Sequence, residues 1–179
     1  MNKKSYKIAF GGIITALCLF LMFLTGMIPL GVYLFPAIAG LLILLSAIEI
    51  GTRWAYLCYL ATALLSLLLT PDWEAKFVFI FIFGIYPTIK LKLDKMNSFV
   101  LRVITKFAVF NSSLFVAYGL LIAVLGMKQF TQSFGAFGKT AIIGLIFFAN
   151  VFFVLYDLVI TNMEIIYLKR FRKIFKKKF

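Results

Sequence analysis

Six apolar runs, at about 8–30, 33–51, 53–70, 76–93, 99–127 and 141–168, take up most of this 179-residue chain. Only short segments with charge, Pro or Gly separate them. A hydrocarbon layer about 30 Å thick is crossed by roughly twenty apolar residues in a helix. Backbone groups in lipid must be satisfied within the segment, so runs of this length form helices. The expected fold is an all-α integral membrane protein, a single bundle of about six transmembrane helices in one domain, 1–179. A short basic C-terminal tail starts at about 169. Composition agrees, because 64% of the residues are hydrophobic, against about 45–50% in soluble domains. The opening "MNKKSYK" and the run behind it imitate a secretory signal. That run continues past Ile28 with no small-residue cleavage site, so it reads as a retained first span.

The net charge of +13 is distributed by topology. When the six spans alternate, one side receives Lys3, Lys4, Lys7, Arg53, Lys90, Lys92, Lys95, Arg102, Lys106 and the seven basic residues of "KRFRKIFKKK". The other side receives Lys76, Lys128 and Lys139. This bias places both termini in the cytoplasm of a multi-pass protein, here expected in a bacterial plasma membrane. Basic residues at span ends and in a tail form no folded groove, so nucleic acid is not an expected partner. Membrane lipid is: the tail can lie on anionic headgroups at about 1 kcal/mol per Lys or Arg. On the outer side, "GMKQFTQSFGAFGKT" is the longest connection, expected as a loop over 128–140 that either folds over a site as a lid or simply joins two spans.

Several chemistries are excluded. There is no His, so neither an imidazole metal site nor a His base exists. Cys18 and Cys58 lie on different spans and read as small core residues. The sequence has no GxxxxGK[ST] loop, GxSxG elbow or HExxH pair. No cofactor, metal or enzymatic activity is expected, and any energy for transport has to come from an ion gradient or a partner.

Polar residues inside the spans are the candidates for function. In the sixth run, Asn150, Asp157 and Glu164 recur every seven residues and share one helix face. The fifth run offers Lys106 at the depth of Asp157 when the two pack antiparallel, so a buried Lys106–Asp157 ion pair is expected. Glu49 and Arg53, four apart, read as a helical ion pair. Asn111 and Tyr118 are seven apart and can face Asn150; these three either line a mostly apolar small-molecule pocket or hold helices together. In "TPDWEAK", Asp72 is placed to cap the fourth helix, with Glu74 in its first turn and Trp73 at the interface. In the functional reading Trp73 is an aromatic wall, and Glu74 or Lys76 a charged contact at a pocket mouth. On the first span, Ala9, Gly12 and Ala16 give a small-residue face that either packs within the bundle or docks another membrane protein.

The face in "IAFGGIITAL", together with the size, basicity and six-run hydropathy of the whole chain, resembles the substrate-binding S components of energy-coupling factor (ECF) transporters. The resemblance implies capture of a small-molecule substrate, a vitamin-like micronutrient, from outside. It also implies a transmembrane coupling subunit docked on Ala9, Gly12 and Ala16, with cytoplasmic ATPases in trans. Family ligands are held largely by the outer ends of later helices and the outer loops, which agrees with Trp73, Tyr118 and Asn150 on independent grounds; Glu74 and Asn111 are candidates on their own chemistry alone. Gly12 departs from the family's alanine pattern. An ion-gradient-driven secondary transporter and a non-transporting membrane assembly protein are the alternatives.

Overall fold

The computed structural model describes the backbone of residues 3–28, 31–125 and 128–171 and the side chains of 4–28, 31–124 and 143–169. The elements are α1 (Lys3–Leu24), α2 (Gly31–Glu49), α3 (Thr52–Leu69), α4 (Trp73–Val78), a π-helical turn (Phe79–Phe83), α5 (Tyr86–Leu93), α6 (Phe99–Leu125) and α7 (Lys128–Ile166). A second π-helical turn, Tyr167–Phe171, follows α7. The described residues contain no strand. Five helices, α1, α2, α3, α6 and α7, are long and apolar enough to cross a membrane, which makes this a multi-pass membrane protein. The sixth helical segment, fourth in chain order, is α4, the π turn and α5 in series, here called the broken span, where one continuous helix over 76–93 was expected.

Two apolar cores share α2 and the broken span. One joins α1, α2 and α3 through Ile14, Cys18, Met22, Ile43, Ala47 and Cys58, with Phe79 of the π turn inserted. The other joins α2, the broken span, α6 and α7 through Phe83, Tyr86, Phe110, Leu121, Phe153 and Tyr156. Apolar residues surround α2 on all sides because it packs on both cores. Gly51, at φ +96°, turns the chain from α2 into α3, a conformation that Gly adopts without steric cost. Ile50 lies against Gly11, and Tyr167 donates to Glu49 at 2.7 Å, so the first half of α1, the turn after α7 and the α2–α3 turn gather at one end of the bundle.

The break between α4 and α5 leaves carbonyls without helical donors, and tyrosines from neighbouring helices meet two of them. The Gly84 N–H donates to Phe79 O at 2.7 Å, five residues back, so Ile80 O loses its helical donor. The Tyr59 hydroxyl on α3 donates to Ile80 O at 2.6 Å. Four residues beyond Phe83 stands Pro87, which has no N–H to give. The Tyr156 hydroxyl on α7 donates to Phe83 O at 3.3 Å. The break is thereby locked from both cores.

Two expectations are corrected here. Residues 128–140 are the first turns of α7, not a loop, so the lid reading does not hold for the backbone; their side chains lie outside the described residues. At 1.5 Å per residue, the 39 residues of α7 extend about 58 Å, well beyond a hydrocarbon layer of about 30 Å. Glu49 and Arg53 stand on separate helices across the Gly51 turn, and Glu49 bonds Tyr167 instead. Most of the tail from about 169 lies outside the described residues.

Candidate functional site

The heptad stripe of α7 does not lead to one site, because each of its first two polar residues is committed to a different partner. Asp157 enters a four-member cluster at the depth where α5 ends and α6 begins. Lys106 Nζ donates to its two oxygens at 3.2 and 3.1 Å, and Lys90 Nζ lies 3.0 Å from Oδ1. Both lysines also reach Asp94, each at 2.7 Å. The Tyr86 hydroxyl donates to Asp157 at 2.6 Å. Two ammonium groups thus face two carboxylates, and the cluster is neutral. Lys90 is only 1% exposed, which that neutrality makes tolerable.

Asp94 sits in the turn after α5, outside the spans. Burial pushes its carboxyl up, but hydrogen bonds from Lys106 and Lys90 outweigh this and hold it below its ordinary value. A folded-state value held down contributes stability that is present above the ordinary carboxylate pKa and is lost as pH falls through the lowered one.

One turn of aromatic packing away, Asn111 and Asn150 bond each other reciprocally, at 2.9 and 3.2 Å. Their remaining amide hydrogens go to Phe107 O at 2.9 Å and Ile146 O at 2.8 Å. Both amides are occupied by protein, so this pair clasps α6 to α7. Single replacement of Asn150 by Leu orphans Asn111, at about 0.6 kcal/mol per lost interhelical bond. The double Asn111→Leu, Asn150→Leu variant is expected to recover most of that loss in a thermal-denaturation scan, and a double variant less stable than either single one counts against the clasp.

A third polar group lies at the end of the bundle opposite the chain termini. Asp72 caps α4, accepting from the Ala75 N–H at 2.8 Å, and so aims the first turn. Glu74 in that turn accepts at Oε1 from the Tyr118 hydroxyl of α6 at 2.8 Å and from the Tyr33 hydroxyl of α2. The two phenol oxygens are 3.1 Å apart. Trp73 is 44% exposed, and the Lys76 ammonium lies 3.8 Å from its ring centroid. The seam between Glu74, Phe77, Val78, Ala117, Tyr118 and Leu121 is too narrow for a water, so a ligand there has to part α4 from α6. Of the five residues expected to line a pocket, Glu74 and Tyr118 are brought together, Trp73 stacks with Lys76 instead, and Asn111 and Asn150 are a separate unit.

Ala9, Gly12 and Ala16 are all exposed, and a Cβ built on Gly12 meets nothing within 4 Å. The adjacent Gly11 faces inward, where a Cβ would lie 3.0 Å from Cys58 Sγ. The small face of α1 therefore points out of the bundle. Among the described residues no group of His, Cys, Asp and Glu has the makings of a metal site. Sequence reading missed Tyr33, Tyr86, Lys90 and Asp94; the four-residue spacing of Lys90 and Asp94 was the one available signal.

No family model, curated protein or solved structure matches the chain.

Proposed function

We propose that this protein is the substrate-binding S component of an ECF-type transporter in a bacterial plasma membrane, with both termini cytoplasmic. It takes a vitamin-like micronutrient from outside, and a transmembrane coupling subunit and cytoplasmic ATPases drive release in trans. The observation that carries this reading is the outward-pointing small face of α1: Ala9, Gly12 and Ala16 leave room for another helix to approach the backbone closely. Two further features support it. The Glu74 cluster lies at the end away from the chain termini, which the basic-residue bias assigns to the outside. The chain also has no phosphate loop of its own.

Mild-detergent purification of the tagged protein from its native membrane, followed by mass spectrometry, tests the proposal. Recovery of an ATPase pair and a second membrane protein is expected, with both lost on Ala16→Trp and retained on Ala16→Ser. Recovery of the chain alone from intact, normally expressing membranes sinks the proposal.

A further inference from the structure

Three of the carboxylates packed between helices are handled in two ways. Asp94 and Asp157 are balanced by Lys90 and Lys106. Glu74 receives two phenol hydrogens on Oε1, and among the described residues no cation pairs with it and no donor reaches Oε2. Lys76, two residues along, is turned onto the Trp73 ring instead. Phenols neutralise no charge. The second oxygen of this partly buried carboxylate is therefore open to a cation.

The geometry points to a cationic ligand: we infer that the mouth formed by Tyr33, Glu74 and Tyr118 takes a protonated amine or quaternary ammonium carried on an apolar, aromatic-sized body. Glu74 Oε2 meets the positive charge. The Tyr33 and Tyr118 hydroxyls occupy Oε1 and so leave Oε2 as the oxygen that faces the charge. Trp73 takes no part, because Lys76 occupies its face. The apolar seam behind, bounded by Phe77, Ala117 and Leu121, receives the body once α4 and α6 part. This inference rests on the reading of the far end as a substrate site, and it names the substrate's charge.

The test uses the full chain in phosphatidylcholine nanodiscs, titrated separately with phenethylammonium and with 3-phenylpropionate, which share a ring and a short linker and differ in charge. Calorimetry is expected to show binding of the ammonium, none of the carboxylate, and at least tenfold weaker ammonium binding by Glu74→Gln. Equal or preferential binding of the carboxylate, binding of neither probe, or unchanged affinity in Glu74→Gln overturns the inference. The wild-type preference alone decides the matter should Glu74→Gln not fold. Copurification separates the two failures. Coupling proteins recovered without a cation preference sink this inference alone, whereas a cation preference without coupling proteins sinks the S-component proposal.

Discussion

Asp157→Asn is expected to lower stability by about 3 kcal/mol, because it leaves two ammonium groups facing one carboxylate among apolar side chains. The figure belongs at the low end of the range for breaking a buried pair, since Asp157 and Asp94 keep 22% and 30% of their side-chain surface open. The loss is to be read as a lower thermal midpoint in mild detergent and a lower yield of folded protein. Removing one lysine as well restores neutrality, and the two lysines differ in what they leave behind. With Lys90→Met, the remaining ammonium is that of Lys106, whose side chain is 11% exposed and can reach toward water. With Lys106→Met, the remaining ammonium is that of Lys90, at 1%. Asp157→Asn is therefore better rescued by Lys90→Met than by Lys106→Met. Equal stability of wild type and Asp157→Asn would show that the cluster holds nothing together. The same variants separate the transport readings: a stable double variant that still takes up substrate excludes Asp157 as a coupling proton carrier, and a stable but inactive one supports a gradient-driven mechanism.

What the sequence made legible here depends on regular geometry. Lys106 and Asp157 could be placed at one depth because α6 and α7 are continuous antiparallel helices, so counting residues from their ends sufficed. Lys90 could not be placed that way. It lies beyond the π turn, and a turn that inserts one residue rotates everything after it by about 100° relative to a regular helix. The insertion is hidden in "FVFIFIFG", where aromatic and aliphatic residues alternate with no polar residue to mark a face. Lys90 was consequently assigned to the charged rim, whereas α5 turns it inward onto Asp94 and Asp157. The start of α7 failed for another reason: Gly, Ser and Thr in 128–140 are weak helix formers and favour a loop by composition, and the structure continues the helix through them. For Asn150, sequence could show a polar group facing the interior but not what met it. The answer was Asn111, whose amide offers the same donor and acceptor set that a ligand would.

Gly40→Ala is expected to cost about 3 kcal/mol, for reasons that concern the broken span more than α2 itself. A Cβ on Gly40 would stand 2.3 Å from both Phe83 O and the Tyr156 hydroxyl, and 3.0 Å from Phe83 C. Overpacking typically costs about 1–3 kcal/mol, and the upper end applies because the obstructing atom is backbone and cannot change rotamer. Phe83 O is also the carbonyl orphaned by Pro87, held in place by the hydroxyl that the new methyl would strike. Relief requires α2 to move off the π turn, which opens both cores along their shared wall. Tyr156→Phe in the Gly40→Ala background removes one obstruction but leaves Phe83 O unsatisfied, so it is expected to restore little. Gly12→Ala is the matched control on an open helix face and should not lower the thermal midpoint, since Ala is the better helix former where nothing obstructs its methyl. A Gly40→Ala protein that melts with the wild type would mean that α2 and the broken span do not approach as closely as Gly40 allows. The lock on the broken span would then have to rest on Tyr59 and Ile80 alone.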